Sequence, residues 1–368
     1  MSRIEIEVAT EADNEELLRL MAEVDMPGSV RVAYCRSPSF FDALRVEGRT
    51  RQVIVGRDTR SGRLAGMGSR SSKPMYVNGV MMEVGYLSSL RVAEEYRRTP
   101  NLARGYEKLR TLHEDGKARI YLSTVLNGNF PARRLTTGRG RLPAYHDVGE
   151  FRSLAIALRQ FVGAGTSGRV RIRPATRDDV PLLAHFLNDE GRRRQFFPAY
   201  SPGDFFRGDG LLPGLFPEDV WMAFSSGRLE GVVAGWDQKA FRRSVVTGYG
   251  PWLRGVRMLY NGYAWGAGLP QLPPVGGVLN YCYLALVCIR GDDGGTFSAL
   301  LERLARSRRG ACSFLMAGMH ERDPLLPALL RLRHWEYPSR LYVVCWPDGE
   351  ALLAELDDRV PYLELGSL

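Results

Sequence analysis

The chain repeats itself over roughly half its length, and this feature constrains the fold most. Residues 6–21, IEVATEADNEELLRLM, resemble residues 172–187, IRPATRDDVPLLAHFL. Each stretch predicts a short strand, an Ala-Thr turn and an amphipathic helix that Thr10 or Thr176 caps. Because an internal repeat encodes the same structural unit each time, the two halves should fold alike.

Two further matches extend the repeat. Residues 119–139 parallel residues 312–333, and each predicts an apolar strand, a proline-containing turn and a helix. Residues 142–158 parallel residues 334–346. The offset grows from 172 − 6 = 166 at the first match to about 190 at the later ones. The second copy therefore carries an insertion of about 25 to 30 residues, which we place near 248–277, a stretch rich in Gly, Pro and aromatic residues.

Each copy alternates predicted strands with predicted helices. In the first copy the strands fall near 3–9, 51–58, 63–71, 75–92, 118–125 and 151–158, and the helices near 12–24, 38–47, 101–115 and 129–138. Such alternation favours an α/β fold with a mixed sheet covered by helices. The Gly- and Ser-rich stretch 161–168 predicts a linker, so the expected domains are 1–160 and 169–368.

Composition indicates a soluble globular protein, because 45% of the residues are hydrophobic and 25% are charged. The net charge of +9 is scattered along the chain, which disfavours nucleic-acid binding. The five cysteines form no C-x-x-C pair and the histidines have no metal-ligand spacing, so we expect buried free thiols and no metal. The first residues lack an apolar signal core, and the apolar run 281–289 is too short to span a bilayer. A cytoplasmic protein without a membrane partner is the resulting expectation.

A basic loop lies where a predicted strand passes into a helix. The stretch from 90 to 109, LRVAEEYRRTPNLARGYEKL, carries Arg97, Arg98 and Arg104, with no carboxylate between Glu95 and Glu107. A helix start offers free main-chain N–H groups and the positive end of the helix dipole. Added cations make such a place suitable for an anion, most simply phosphate. A solvated basic helix start is the alternative.

These residues resemble the GNAT-type acyl-CoA N-acyltransferases. In that family an L-x-V strand end precedes a loop of pattern Q/R-x-x-G-x-G/A, and the sequence has LRV at 90–92 and RTPNLA at 98–103. NFPARRL at 129–135 is similar to the family's later N-x-x-A-x-x-L helix. Asn101 stands where the first glycine is expected. The resemblance implies two tandem GNAT-like domains, each a mixed, splayed sheet flanked by helices.

The resemblance also implies a co-substrate, acetyl-CoA or another acyl-CoA, held by the first domain. An amine acceptor, a small molecule of unidentified structure, would attack the thioester directly in a ternary complex. The main chain of residues 90–92 would pair with the pantetheine arm. The implied cofactor contacts are Leu90, Arg91, Val92, Arg97, Arg98, Asn101, Leu102, Ala103, Arg104 and Asn129.

Two residues are candidates for proton transfer. Glu83 occupies the strand before the loop, where the family places a carboxylate base, and its apolar neighbours would raise its pKa. An ordinary strand-edge glutamate is the alternative. Thr136 stands where the family has a tyrosine acid, so Tyr145 is the candidate substitute, although a half-buried aromatic residue fits equally well. His113 is a rival base, with a helix–sheet or surface position as its simpler interpretation.

The second copy departs further from the family. Its loop RGDDGGTF at 290–297 contains Asp292 and Asp293, which would repel a diphosphate. We interpret it as a tight turn capped by aspartate at a helix start, in a degenerate domain that shapes a cleft or a homodimer interface. The aromatic residues of the insertion could line a cleft, but a core is the simpler interpretation; they are Trp252, Tyr260, Tyr263 and Trp265. A catalytically inactive acyl-CoA-binding or scaffolding protein is the alternative function.

Overall fold

The computed structural model describes residues 4–23, 28–97, 101–127, 142–161, 170–267 and 269–368. Strands in the first half are β1 Ile4–Val8, β2 Val30–Cys35, β3 Thr50–Asp58, β4 Leu64–Val77, β5 Val80–Val92, β6 Ile120–Leu126 and β7 Ala144–Ala157. Strands in the second half are β8 Arg171–Pro174, β9 Phe197–Pro198, β10 Val220–Ser225, β11 Arg228–Trp236, β12 Arg243–Tyr249, β13 Tyr281–Ile289, β14 Phe314–His320 and β15 His334–Cys345.

The described helices are α1 Asn14–Glu23, α2 Phe40–Ala43, α3 Asn101–His113, α4 Val180–Gly191, α5 Pro251–Ala267, α6 Gly294–Arg308, α7 Leu326–Leu330 and α8 Glu350–Ala354. The predicted caps are confirmed in both copies. Thr10 and Asp13 form a capping box before α1, and Thr176 and Asp179 form the same box before α4. The predicted helix 129–138 lies outside the described residues.

All strands except β2 and β12 belong to one mixed sheet. Its order is β1-β3-β4-β5-β6-β15-β7-β14-β13-β11-β10-β8, and β9 pairs with β4. The sheet contains two parallel pairs, β5 with β6 and β13 with β14. From one edge inward the order is β1-β3-β4-β5-β6, and from the other edge inward it is β8-β10-β11-β13-β14. The two halves therefore present the same succession of strands, which confirms the α/β fold and the repeat.

The halves exchange their last strands. β7 of the first half pairs with β14 of the second, and β15 of the second half pairs with β6 of the first. β7 and β15 also pair with each other over twelve residue pairs, from His334↔Ile156 to Cys345↔Ala144. The residues on either side of the expected linker therefore contribute to one continuous sheet.

Two details differ from the expected elements. The β4–β5 turn lies at Asn78-Gly79, whose positive φ angles of 52° and 77° fit a tight hairpin turn, so 72–74 continues a strand. β2 was not predicted. It pairs with β12 of the insertion to form a separate ribbon, and short edge strands of this kind give a weak periodic signal.

The insertion lies where expected, between β11 and β13, and contains β12 and α5. The assignment of its aromatic residues to a core is wrong for three of the four. Trp252, Tyr263 and Trp265 are 77%, 66% and 69% exposed on the outer face of α5, because this helix has the sheet on one side only. Tyr260 alone packs inward, against Trp335.

Helices cover both faces of the first half of the sheet. Val53 and Val55 pack with Leu17 and Leu20 of α1, whereas Ile54 packs with α3. Because side chains alternate along a strand, α1 and α3 lie on opposite faces. The sheet therefore has one face covered by α3 and an opposite face covered by α1 and the β2–β12 ribbon.

Candidate functional site

A gap opens in the first half where two parallel strands separate. β5 and β6 pair only at Gly85↔Tyr121 and Tyr86↔Leu122. Ser69 pairs with Ser88 and Met67 with Arg91, so a bulge lies at Ser89 and Leu90, and Ser89 has a φ of +56°. Beyond the bulge the described residues show no ladder between β5 and β6. Main-chain groups of 88–92 on that edge are therefore placed to pair with an extended ligand.

The corresponding gap in the second half is filled by the protein itself. β13 and β14 pair at Tyr281, Cys282 and Tyr283 and then separate, and Leu286 repeats the bulge with a φ of +52°. Its N–H donates to Glu364 Oε2 at 2.8 Å. The turn Leu365–Ser367 packs against both strands. Residues 361–368 thus occupy a space whose counterpart between β5 and β6 is filled by none of the residues that the structure describes.

The loop after β13 is also closed. Asp293 caps α6 by accepting from the Thr296 N–H at 2.7 Å, which confirms the predicted aspartate-capped turn. Asp292 accepts from Arg194 at 2.5 Å, and Arg193 lies 3.7 Å away. Carboxylate–guanidinium pairs therefore occupy this corner, and an incoming diphosphate would have to displace them.

The predicted phosphate loop of the first half is only partly described. Leu102 and Ala103 lie in the first turn of α3. Arg97 is exposed and its Nε lies 3.4 Å from the Val92 carbonyl oxygen. Arg104 donates to the Ile4 carbonyl oxygen at 2.6 Å, so its guanidinium is held against β1. Arg98, Asn129 and the side chain of Asn101 lie outside the described residues.

The two predicted proton-transfer residues do not meet at the gap. Glu83 lies on β5 before Gly85 and Tyr86, the residues that pair with β6, and it accepts a hydrogen bond from Ser72 Oγ at 2.7 Å. Tyr145 forms a 2.7 Å hydroxyl contact with Tyr106 on the α3 side, and burial raises its pKa well above the usual value. Their catalytic roles remain predictions that this arrangement does not favour.

His113 occupies a helix–sheet contact. Its ring stacks on Trp346 with 4.5 Å between ring centroids, and its nitrogens contact Tyr121 and Asp348. The simpler of its two interpretations is therefore correct. No group of three or more His, Cys, Asp or Glu side chains is placed to hold a metal ion within the described part of the chain.

Three tyrosines come together on the α1 face beside the gap, and the surface that Tyr34, Tyr283 and Tyr337 share is called the tyrosine-lined cleft. The phenol of Tyr34, on β2, interacts electrostatically with Tyr283, Tyr337 and the guanidinium of Arg91. Tyr34 and Tyr337 are 40% and 42% exposed, yet burial raises the pKa of Tyr34 to about 12. Both facts fit a side chain that lines a cleft, with one surface open to solvent and protein around the rest. Arg91 belongs to this face because it pairs with Met67 of the α1 cluster.

Arg91 was predicted to contact the ligand through its main chain, whereas no sequence signal marked the three tyrosines of the cleft. Tyr34, Tyr283 and Tyr337 come from three strands separated by more than 50 residues of sequence. The only local signal is their alternation with apolar residues, which any half-buried strand shows. Their convergence follows from the β2–β12 ribbon and from the exchanged strand β15.

A buried ionic network adjoins the cleft. Glu47 is 1% exposed and accepts from Arg36 at 2.8 Å, from Arg242 at 2.7 Å and from Ser88 at 2.6 Å. Arg36 Nη1 is buried without a hydrogen-bond partner among the described residues. The network joins both halves, because Arg242 belongs to the insertion side and Ser88 to β5.

Burial of Lys73 should make the stability of the protein depend on pH. The ammonium is 4% exposed and its Nζ lies 3.4 Å from the Val46 carbonyl oxygen; burial lowers its pKa to about 8. Between pH 8 and about 10.4 only the unfolded state holds this proton, so we expect stability to rise with pH across that window. Below pH 8 both states are protonated and the contribution is constant.

The comparison of wild type with Lys73→Met isolates this effect, because tyrosines titrate in both proteins. Urea unfolding gives the free energy of unfolding of each protein at pH 7.5 and at pH 10. The difference between the two proteins should be smaller at pH 10 by about 1–3 kcal/mol. The same difference at both pH values would contradict the low pKa assigned to Lys73.

No protein-family model and no curated protein sequence matches the chain. Solved structures do. A GCN5-related N-acetyltransferase from Sphaerobacter thermophilus is similar, with 14% identity, a TM-score of 0.59, and coverage of 100% of this chain and 99% of that one. Saccharomyces cerevisiae N-myristoyltransferase with bound myristoyl-CoA follows at 13% identity and a TM-score of 0.58, covering 94% and 83%.

A third structure is the GCN5-related glucosamine N-acetyltransferase region of a fungal multi-domain GH3 β-N-acetylglucosaminidase. It is 11% identical with a TM-score of 0.62, and the match covers 93% of this chain and 38% of that chain. All three matches extend over nearly the whole chain. The chain therefore has the fold of the GCN5-related N-acyltransferases, with its strand pattern present twice in one sheet.

Proposed function

We propose that the protein is an N-acyltransferase that transfers an acyl group, acetyl in the simplest case, from acyl-CoA to an amine. The amine nitrogen attacks the thioester carbonyl carbon, the C–S bond breaks, and the proton lost by nitrogen ends on the departing thiolate. The observation that carries the proposal is the separation of β5 from β6, which no described residue bridges, with the bulge at Ser89 and Leu90.

The contrast between the halves supports one acyl-CoA site in each chain. In the second half, Glu364 binds the bulge N–H of Leu286. In the first half no described residue pairs with the equivalent edge, and a pantetheine arm would pair with its main chain as an added strand does. A bulge N–H would also be placed to polarise the thioester carbonyl.

The tyrosine-lined cleft is the proposed acceptor site. It adjoins the gap on the α1 face, opposite α3. Arg36 and Arg242 share the Glu47 carboxylate, and Arg36 Nη1 is buried without a hydrogen-bond partner among the described residues. This unpartnered guanidinium nitrogen favours an acceptor that carries an anion, and the phenol faces favour an aromatic body. Polyamines, which need carboxylates, fit the site poorly.

Thiol release from acetyl-CoA over an amine panel tests the proposal. Aromatic amino acids should react faster than their decarboxylated analogues, and both faster than polyamines. Acyl-CoA binding without thiol release for any amine would favour the inactive binding protein instead. Absence of binding would contradict both functions.

Charge reversal at the loop should weaken acyl-CoA binding. Arg97→Glu replaces a cation with an anion near the proposed diphosphate position, so we expect the Kd for acetyl-CoA to rise about 10- to 100-fold. Arg110→Glu makes the same change at the exposed far end of α3 and should alter the Kd by less than threefold. Isothermal titration measures both Kd values. Equal effects of the two variants would show that the diphosphate does not bind at this loop.

A further inference from the structure

An unusually apolar surface covers the outer face of α5. Its five large side chains are 66% to 81% exposed; they are Trp252, Met258, Leu259, Tyr263 and Trp265. Single exposed apolar residues are common on proteins, but several on one helix mark a surface that binds something.

The helix is firmly placed with this face outward. Asn261 exchanges two hydrogen bonds with the main chain of Leu272, at 2.8 Å and 2.9 Å. Arg333 donates to the Ala267 carbonyl oxygen at the last turn. Tyr260 packs on Trp335 and Ala264 is fully buried. The inner face of α5 is therefore already hydrogen-bonded and packed. Rotating the helix to bury its outer face would break these contacts.

The charge of the surrounding sequence identifies the kind of partner. Residues 238–291 contain no aspartate or glutamate. Three of the six basic residues in this stretch pair with carboxylates elsewhere in the chain, namely Lys239, Arg242 and Arg290; the other three are Arg243, Arg254 and Arg257. Arg254 is exposed on α5 itself. A symmetric contact between two copies would bring this basic surface against itself with no local carboxylate to pair it. An anionic surface provides the missing charge.

We infer that α5 docks the protein on an anionic lipid surface, with the helix in the plane of the interface. Trp and Tyr favour the boundary between headgroups and acyl chains. Apolar side chains enter it and arginines pair with anionic headgroups. The helix has 17 residues and none of the described helices is long and apolar enough to cross a bilayer. The inference departs from the expectation of no membrane partner, and it does not depend on acyl transfer.

The docked helix would lie beside the tyrosine-lined cleft. The phenol of Tyr260 interacts electrostatically with Tyr337, which lines the cleft, and with Tyr263 on the outer face. A lipid surface at α5 would therefore be adjacent to the proposed acceptor site.

Co-sedimentation of the full chain with vesicles tests the inference. We expect binding to phosphatidylcholine vesicles that contain phosphatidylglycerol, little binding to phosphatidylcholine alone, and loss of binding at high salt. Tryptophan emission should shift to the blue on binding. The double variant Trp252→Gln/Leu259→Gln should lower the partition coefficient more than tenfold, and Arg254→Gln should lower it two- to tenfold.

Met81→Gln is the matched control, because Met81 is 61% exposed on the β4–β5 hairpin; it should bind like wild type. Circular dichroism and thermal unfolding should be unchanged in every variant, since the altered side chains are exposed. Absence of binding to anionic vesicles, or equal binding by the double variant, would overturn the inference. A concentration-dependent dimer in sedimentation velocity that the double variant abolishes would assign the surface to a second copy and would overturn it as well.

Discussion

Glu47→Ala should lower the free energy of unfolding by about 3–5 kcal/mol, the largest effect we expect from one substitution. The carboxylate is buried and accepts from Arg36, Arg242 and Ser88. Its removal leaves two buried guanidinium groups without their counter-charge. Because Arg242 and Ser88 lie in different halves, the loss should weaken the packing of the insertion against the first half. Urea unfolding measures the change.

Asp209→Ala is the control for this prediction. Asp209 pairs with Arg207 at 3.1 Å, but both side chains are more than 60% exposed, and exposed pairs contribute little. We expect a change below about 0.5 kcal/mol. Similar losses in Glu47→Ala and Asp209→Ala would contradict the role given to burial.

Gly85→Ala should destabilise the protein by about 1–3 kcal/mol and impair acyl-CoA binding. An added Cβ would lie 2.0 Å from Cδ1 of Tyr121. The ring has little freedom to move, because its hydroxyl contacts Arg70 Nε at 3.1 Å and His113 Nδ1 at 2.9 Å. The substitution should therefore force β5 and β6 apart at the point that closes the gap.

Gly105→Ala is the opposite case in the same half. It lies inside α3, and an added Cβ meets no atom within 4 Å. Alanine should stabilise the helix there by up to about 1 kcal/mol. Thermal and urea unfolding of both variants give the comparison. Wild-type stability in Gly85→Ala would mean that the strand pair does not approach as closely as described.

The sequence predicted the features that depend on local residues. Thr10 and Thr176 each stand before acidic residues and a helical apolar period, and both caps formed as expected. The offset between the copies located the insertion, and Asp293 was correctly interpreted as a helix cap. The caps depend on residues that are neighbours in the chain, and the insertion follows from the spacing of repeated segments.

Features that depend on distant residues escaped prediction. An apolar strand such as 334–345 has the same alternating pattern whichever sheet it joins, so the exchange of β7 and β15 carries no local signal. Glu47 looks like one more surface glutamate until Arg242, 195 residues away, reaches it. Residues 361–368 show no sign in sequence that they fill the second gap.

The central claim is that the chain has one acyl-CoA site, formed by the first gap alone. Isothermal titration of the wild-type protein with acetyl-CoA measures it most directly. The account predicts saturable binding with a stoichiometry of one per chain, weakened in Arg97→Glu and preserved in Arg110→Glu. Two equivalent sites, or no heat at high micromolar acetyl-CoA, would contradict it.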